Sequence, residues 1–278
     1  MSVKIGIIGG TGSMGRWFNS FFSNSGHNVL IAGRKTPLSF EELAHQSDIV
    51  ILSLPLEAAI KLCKEIGPIL TKDQLLMDFC SLKEKIVNSM MLNTEAEVIG
   101  THPLFGPFTD SIKGQNVIIC KGRGEKWLNF VEDEFKTKGA VVTIMDPVKH
   151  DRNMAVVQGL THILSISLGR TLQKLNISPK EAILFSTPVF RLKIDLIARL
   201  FAQDLDLYAG LVGKNEHVPE VFNTFVSSIN ESAESLIKNN NPITYLEDIR
   251  KFLGTFCEDG LKESNEILNT LYSMVKVQ

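Results

Sequence analysis

The sequence predicts an α/β domain over residues 1–148 and an all-α helical domain over residues 149–278. In the first half, short β-branched runs alternate with amphipathic segments, which is typical of a mainly parallel sheet with helices on both faces. Beyond about residue 147 such runs become rare and the pattern is almost entirely helical. Hydrophobic residues make up 44% of the 278 residues, enough for one large or two medium-sized cores.

Six apolar runs in the first half are predicted to be short buried strands. They cover residues 3–8, 29–32, 49–52, 75–79, 98–100 and 117–120. Helical patterns lie between most of them, for example at residues 14–23 and 56–66. In the second half, helices are predicted at residues 151–173, 178–202, 218–238, 242–253 and 259–276. Asp151 is the expected N-cap of the first, and Pro188 is expected to kink the second or begin a new turn in it.

Composition narrows the class of partner. The net charge is −2 and charged residues make up 22%, so the basic field of a nucleic-acid-binding protein is not expected. No apolar run reaches the roughly 18 residues of a membrane span, and the chain opens on a strand rather than a secretory signal. We therefore expect a cytoplasmic protein whose partners are small molecules or other subunits.

The cysteines do not indicate a metal site or a disulfide framework. They lie far apart in sequence, and none forms a metal-ligand spacing. Buried, reduced thiols and no bound metal are the expectation. The four residues are Cys63, Cys80, Cys120 and Cys257.

A glycine-rich turn directly follows the first predicted strand. It reads Gly10-Thr11-Gly12-Ser13-Met14-Gly15. This pattern is weak alone, but here it joins a strand to a helix, as a Rossmann-type dinucleotide site requires. Gly10 is expected to permit the tight turn, Gly12 the approach of the pyrophosphate and Gly15 close packing of the helix. The alternative is a flexible loop that binds nothing.

The end of the second predicted strand bears on the choice of cofactor. NAD sites usually carry an acidic residue there, which bonds the ribose hydroxyls, whereas this chain has Gly33 followed by Arg34 and Lys35. A carboxylate would repel a 2′-phosphate, and these cations would attract one. Arg34 could also stack on adenine. We expect NADP to be preferred, with NAD possible; the alternative is that both cations are ordinary surface charges.

Two further strand ends carry polar side chains toward the same expected pocket. Ser53 and Pro55 follow the strand at 49–52 and are expected beside the cofactor. Ser81 follows the strand at 75–79, where it could bond the substrate or the carboxamide. It is equally well explained as a helix N-cap before Leu82.

His102 follows the next predicted strand, in a loop held by Pro103, Gly106 and Pro107. A fixed histidine with a pKa near the working pH is suited to remove a hydroxyl proton during hydride transfer. A lone histidine is also often structural, so the loop alone leaves both interpretations open.

Several motifs in order resemble the prephenate dehydrogenase family of tyrosine biosynthesis, in its monofunctional form. The resemblance runs from the glycine turn to at least Tyr208, and the run at residues 198–204 is similar to the enterobacterial branch. The motifs are His102-Pro103-Leu104-Phe105-Gly106-Pro107, His150-Asp151-Arg152-Asn153-Met154-Ala155, Gln158-Gly159-Leu160-Thr161-His162 and Ser186-Thr187-Pro188-Val189-Phe190-Arg191-Leu192.

The resemblance implies an oxidative decarboxylation of prephenate to 4-hydroxyphenylpyruvate, with hydride transfer to NAD(P)+. It places His102 as the base at the ring hydroxyl and Ser81 as a second partner of that hydroxyl. Arg199 would hold a substrate carboxylate bidentately, and Arg191 is a weaker candidate that could instead pair with Asp195. His162 would lie near the nicotinamide or substrate, unless it is a core histidine.

His150 and Asp151 are expected to organise the start of the interdomain helix rather than to perform chemistry. The resemblance also implies a homodimer through the helical domain, where apolar residues occupy more than one helix face; the alternative is a self-contained core. No chorismate mutase domain or ACT domain is expected. Gly33 and Arg34 depart from the acidic strand end of the NAD-using members.

Three alternatives remain. Arogenate, which carries an amino group in place of the keto group, could be the substrate. A β-hydroxyacid dehydrogenase also joins these two domain types but relies on a lysine in its helical domain. A redox-sensing module would bind NADP without turnover, and it would have no need of both His102 and Arg199.

Overall fold

The computed structural model describes residues 2–238 and 242–273. The chain divides into two compact units, Met1–Met154 and Ala155–Gln278. This division falls six residues after the expected boundary at residue 148. The helix Pro147–Met154 belongs to the first unit because its side chains His150, Asp151 and Met154 are buried there.

A seven-stranded sheet forms the centre of the first unit, in the spatial order β2-β1-β3-β4-β5-β6-β7. All neighbouring strands are parallel except β5 and β6, so the expected mainly parallel sheet contains one antiparallel pair. The strands are β1 Lys4–Ile8, β2 Asn28–Ala32, β3 Ile49–Leu52, β4 Leu75–Asp78, β5 Glu97–Pro103, β6 Asn116–Arg123 and β7 Val141–Ile144.

Helices cover both faces of this sheet. Alternate residues of a strand point to opposite faces, so a central strand covered on both sides is apolar throughout. In β3, Val50 and Leu52 join one core cluster while Ile49 and Ile51 join the other. The helices of the unit are α1 Ser13–Asn24, α2 Phe40–Gln46, α3 Leu56–Ile66, α4 Glu84–Asn93, α5 Lys126–Thr137 and α6 Pro147–Met154, with a 3₁₀ turn at Gly67–Ile69.

Two expectations for the first unit need correction. His102 lies inside β5, opposite Ile118, and not in a loop after the strand. Asp151 does not cap the helix that was expected to begin at it, because α6 begins four residues earlier. The carboxylate of Asp146 instead accepts from the amides of Val148 at 2.9 Å and Lys149 at 3.1 Å. Asp151 therefore has another role.

The second unit is helical throughout the part that the structure describes. It opens with a π-helical segment at Ala155–Leu160, so the helix expected at 151–173 comprises three segments rather than one. The α-helices are α7 Thr161–Lys174, α8 Pro179–Leu184, α9 Pro188–Phe201, α10 Leu205–Gly213, α11 Val218–Ile237, α12 Pro242–Leu253 and α13 Phe256–Ser273.

Differences from the expected helices have local causes. The helix expected at 178–202 is interrupted before Pro188, which becomes the first residue of α9, and Thr187 caps α9 by accepting from the Phe190 amide at 3.3 Å. The short helix α10 was not indicated by the pattern. The helix expected at 259–276 begins at Phe256, and its last expected residues lie outside the described range. Among the described helices, none has the length and apolarity that crossing a membrane requires.

Candidate active site

The glycine-rich turn joins β1 to α1 through a left-handed residue. That residue is Gly9, with a φ of +88°, while at Gly10 an added Cβ would lie 2.6 Å from the Ile31 side chain. At Gly15, an added Cβ would lie 2.3 Å from the Gly9 carbonyl oxygen. Only glycine therefore lets the first turn of α1 lie directly against the strand end. The turn and the helix start form one compact cradle.

The N-terminus of α1 is suited to an anion. Its cap residue Gly12 contributes no side-chain hydrogen bond, and the first turn of this helix carries no acidic residue. The first backbone N–H groups of a helix lack partners within it and carry positive partial charge. Arg16 adds a full positive charge, and its guanidinium donates to the Thr11 carbonyl. These residues fit the pyrophosphate of a dinucleotide.

The turn after β2 exposes the two cations expected to contact the adenosine end. Arg34 and Lys35 are exposed, and the backbone around them is fixed by Thr36. The Thr36 hydroxyl accepts from the Gly33 amide at 2.9 Å, and the Thr36 amide donates to the Gly33 carbonyl at 3.2 Å. No carboxylate follows the last residue of β2, Ala32.

Ser53 lies beside the glycine turn. Its amide donates to the Ile8 carbonyl at 2.8 Å, and an added Cβ on Gly9 would lie 2.2 Å from the Ser53 carbonyl oxygen. Pro55 is the N-cap residue of α3. Both residues are thus at the carboxyl edge of the sheet, where open α/β sheets bind ligands.

Ser81 lies in the connection from β4 to α4, but it is not the N-cap of α4. That helix begins at Glu84, and its first amides are capped from a distance by Asp151. The Asp151 carboxylate accepts from the Lys83 amide at 2.8 Å and from the Glu84 amide at 3.0 Å. The capping alternative for Ser81 is therefore wrong, and its half-buried side chain keeps the substrate role as a prediction.

His102 belongs to a buried chain of hydrogen bonds that ends at a carboxylate. Its Nδ1 lies 2.9 Å from Nε2 of His150, and Nδ1 of His150 lies 2.7 Å from Oδ1 of Asp151. All three residues are buried. The carboxylate can only accept, so Nδ1 of His150 donates to it, and in the neutral ring of His150 the other nitrogen, Nε2, is then an acceptor. His102 must then donate from Nδ1, which leaves its lone pair on Nε2.

The surroundings keep His102 neutral. Burial lowers its pKa well below the usual range, and the positive charge of the nearby Lys83 lowers it further. Lys83 is itself completely buried. Its ammonium pairs with Asp78 and donates to the Thr101 carbonyl at 2.9 Å. A neutral imidazole with its lone pair on Nε2 is the form that a general base requires.

The segment after His102 is held against α1 by a hydrogen bond and an aromatic contact. The indole Nε1 of Trp17 donates to the Thr109 carbonyl at 2.7 Å, and its ring centroid lies 4.9 Å from that of Phe105. The Thr109 amide closes a turn onto the Gly106 carbonyl at 3.1 Å. This anchoring supplements the two prolines and the glycine of the motif.

The remaining site candidates belong to the second unit. His162 is half-buried, its ring centroid lies 4.9 Å from that of Tyr208, and burial lowers its pKa. Arg191 pairs with Asp195 at 3.2 Å, as the structural alternative for this residue anticipated. Arg199 is exposed and lies eight residues further along α9, about two turns away, so both arginines share one side of the helix.

Four groups that shape the site were not indicated by the sequence patterns. Arg16 could have been noticed as a cation one turn after the glycine motif. Gly9 precedes the motif and was expected to end the strand. The pair formed by Asp78 and Lys83, and the link from His150 and Asp151 to His102, depend on contacts between distant parts of the chain and left no local signal.

Family models match both halves of the chain. Residues 29–144 match "Prephenate dehydrogenase, nucleotide-binding domain", and residues 146–252 match "Prephenate dehydrogenase, dimerization domain". Residues 4–47 also match "NADP oxidoreductase coenzyme F420-dependent". The T-protein of Haemophilus influenzae is 30% identical over 95% of this chain and 71% of its own length. The chain belongs to the prephenate dehydrogenase family, a family of oxidoreductases.

One further relative is similar in sequence and another in structure. The probable arogenate/prephenate dehydrogenase of Methanocaldococcus jannaschii is 34% identical over 99% of this chain and 66% of its own length. The chain thus spans about two thirds of these curated relatives. A prephenate dehydrogenase from Aquifex aeolicus, solved with hydroxyphenyl propionate and NAD+, has a TM-score of 0.73 at 23% identity, covering 90% of this chain and 96% of that one. This likeness shows the expected fold, a Rossmann-type domain followed by a helical domain.

Proposed function

We propose that this chain oxidises prephenate to 4-hydroxyphenylpyruvate and CO2, using NADP+ in preference to NAD+. The observation that carries the proposal is the hydrogen-bond chain from Asp151 through His150 to His102. It leaves the lone pair of neutral His102 on Nε2, which is what the ring hydroxyl of the substrate needs as a partner. A redox sensor that binds NADP without turnover would have no use for this buried arrangement.

The reaction needs one proton acceptor at the ring hydroxyl. A nicotinamide cofactor bound at the glycine turn would supply the hydride acceptor for the carbinol carbon. His102 Nε2 accepts the hydroxyl proton as the carbon–oxygen bond gains carbonyl character, and the proton returns to this oxygen as the ring becomes aromatic. The bond from the ring to its carboxylate breaks, and CO2 leaves. Ser81 is assigned as the second partner of the same hydroxyl.

The substrate is a dianion, so the proposal assigns cations to its carboxylates. Arg199 is assigned to one of them because it is exposed and its guanidinium matches a carboxylate bidentately. Arg191 is the secondary candidate, since Asp195 already engages its guanidinium. His162, whose burial favours the neutral ring, is assigned to the substrate or nicotinamide region.

The cofactor is assigned to the residues of the glycine turn and the strand ends around it. The pyrophosphate is assigned to residues 10–15 and Arg16, and the nicotinamide side to Ser53 and Pro55. Arg34 and Lys35 are assigned to the 2′-phosphate because no carboxylate follows β2. The match of residues 4–47 to an NADP oxidoreductase model supports this preference.

Arogenate is the second candidate substrate, and the name of the Methanocaldococcus jannaschii relative includes both substrates. We also infer a homodimer through the helical unit. The description of the family model over residues 146–252 supports it, as do the exposed apolar side chains of α9 to α13.

The test is a direct assay of the purified chain. Prephenate with NADP+ is expected to give rising absorbance of the reduced cofactor, faster than arogenate or NAD+. His102→Asn is expected to lower kcat by about 10²–10⁴-fold, the usual contribution of a general base. If neither substrate is turned over with either cofactor, the proposed reaction is wrong and the redox-sensor alternative is favoured. Full kcat in His102→Asn would remove His102 from the role of base.

A further inference from the structure

Gly33 is a glycine for a steric reason and not a conformational one. Its φ lies outside the left-handed region that other side chains avoid. The three heavy atoms nearest to an ideal Cβ on Gly33 all belong to Thr11. This Cβ would lie 2.7 Å from Thr11 Oγ1, 3.3 Å from Cγ2 and 3.6 Å from Cβ. The Thr11 side chain therefore occupies the space that a side chain at position 33 needs.

The two backbones that face each other here are held in place. The Thr36 hydroxyl accepts from the Gly33 amide at 2.9 Å, which anchors the turn after β2. On the other side, the Arg16 guanidinium donates to the Thr11 carbonyl. The clash with a Cβ at position 33 is thus not easily relieved by moving either backbone. The side chain of Thr11 decides what position 33 can carry.

Position 33 corresponds to the residue that contacts the ribose of the adenosine in a dinucleotide site. In sites specific for NAD, an acidic side chain after the second strand accepts from the ribose hydroxyls, and it repels a 2′-phosphate. In this chain the position is followed by Arg34 and Lys35, both exposed, and the Arg16 guanidinium donates to the Thr11 carbonyl. The local charge is positive, and any side chain at position 33 would have to displace the side chain of Thr11.

We propose that Thr11 is a specificity-determining residue that acts through Gly33. By filling the space beside Gly33, it excludes the acidic side chain that NAD recognition requires and preserves a positive site for a 2′-phosphorylated dinucleotide. This inference rests on the proposed preference for NADP and names the residue pair that sets it. An acidic residue at position 33 is therefore useful only once Thr11 has been shortened.

Alanine is the suitable replacement for Thr11. It removes Oγ1 and Cγ2, the two atoms that would lie within 3.3 Å of a Cβ at position 33, and keeps the Thr11 Cβ at an ordinary contact distance of 3.6 Å. The variants are Thr11→Ala, Gly33→Asp and the double variant Thr11→Ala/Gly33→Asp. Thr11→Ala/Gly33→Asn is the matched control, because asparagine has the shape of aspartate without its charge.

The first measurement needs no ligand. Thermal unfolding of the four single and double variants is expected to show that Gly33→Asp lowers Tm and that adding Thr11→Ala restores most of the loss. Such non-additivity is typical of residues in direct contact. Additive changes in Tm would overturn the steric half of the proposal, whatever the enzyme catalyses.

The second measurement is the affinity for NADPH and NADH, followed by nicotinamide fluorescence in the absence of substrate. The wild-type chain and Thr11→Ala are both expected to favour NADPH by about 10-fold or more, since Arg34 and Lys35 would attract the 2′-phosphate that NADH lacks. Gly33→Asp is expected to weaken both cofactors. The double variant is expected to favour NADH, and the Asn control to show no gain for NADH.

The outcomes separate this inference from the proposed reaction. A switch to NADH in Gly33→Asp alone, or none in the double variant, would overturn the role of Thr11. A wild-type preference for NADH would overturn both this role and the NADP assignment. If the switch occurs in a chain that turns over neither prephenate nor arogenate, the proposed reaction is wrong and the specificity pair stands.

Discussion

The two units of the chain bury their apolar side chains to very different degrees. Every residue of β3 and β4 in the first unit is buried, whereas α12 and α13, within the described residues 242–273, contain no buried residue. Phe252 of α12 is 88% exposed. Large exposed apolar patches often mark a contact with another protein surface. The exposed apolar side chains of the second unit therefore support the proposed homodimer, whereas the first unit buries its apolar strands within itself.

The first unit also buries charged side chains, so a single substitution in a buried ion pair is expected to lower the free energy of unfolding strongly. Lys83→Met is expected to destabilise the protein by about 3–5 kcal/mol, because it leaves the buried carboxylate of Asp78 without its counter-ion. Burial already raises the pKa of Asp78, and Lys83 opposes that effect. The measurement is urea unfolding of the purified chain, followed by circular dichroism.

Two controls sharpen this prediction. Lys72 pairs with Glu95 at 3.6 Å on the surface, so Lys72→Met removes an ion pair that is worth about 0–1 kcal/mol. Asp78→Asn combined with Lys83→Met removes both buried charges and is expected to recover most of the lost stability. Equal losses in the Lys83 and Lys72 variants would show that the buried pair contributes no more than a surface pair does.

The second unit can be tested on its exposed face. Phe252→Asp is expected to weaken the proposed homodimer by about 2 kcal/mol or more, which is roughly a 30-fold rise in its dissociation constant. Helix content should stay unchanged, because Phe252 makes little contact within its own unit. Light scattering over a range of protein concentrations measures the shift.

Leu92 provides the matched control for this experiment. It is 75% exposed on α4 of the first unit. Leu92→Asp adds the same charge at a comparably exposed apolar residue and is expected to leave the dimer unchanged. A wild-type monomer, or equal loss of dimer in both variants, would contradict the assignment of the interface to the second unit.

The contrast between buried and exposed elements also explains how far the sequence predicts the fold. The run Ile49-Val-Ile-Leu52 identifies β3 because both faces of the strand are covered. β7 has the similar run Val141-Val-Thr-Ile144, but it lies at the sheet edge, is mostly exposed and is defined by its pairing with β6. Helices of the second unit were predicted to within a few residues at α11 and α12, because helical periodicity is local. Which faces of these helices are buried depends on contacts with distant parts of the chain, so the sequence does not predict it.

The candidate site shows the same limit. The glycine turn and Ser81 follow strands and His102 lies near the carboxyl end of β5, so their shared edge could be predicted from the strand order. The contact between Asp151 and the Lys83 amide joins residues 68 apart, and that between His102 and His150 joins residues 48 apart. The sequence pattern led us to expect Asp151 as the cap of the helix beside it. Only the fold shows that Asp146 caps α6 and that Asp151 caps α4.

The smallest expected effect concerns the chain from Asp151 to His102. Asp151→Asn replaces a group that only accepts with one whose nitrogen donates, so the proton of His150 is no longer held on Nδ1 and His102 loses its defined tautomer. We expect kcat to fall by about 10–100-fold, as is common when a supporting partner of a site residue is changed, with little change in KM. Steady-state kinetics measures both.

Asp146→Asn is the matched control, because the Asp146 carboxylate also caps a helix but does so through the Val148 and Lys149 amides rather than through a histidine ring. Each variant is expected to lose about 0.5–2 kcal/mol of stability from its weakened cap. Only Asp151→Asn should lower kcat.

The pH profile of kcat/KM provides a second test of the role of His102. A protonated His102 accepts no proton, so kcat/KM falls as pH falls through its pKa, and burial places that fall below pH 6.5 in the wild type. A wild-type rate already declining above pH 7, or equal kcat in the two variants, would contradict a neutral His102 whose tautomer is set by Asp151.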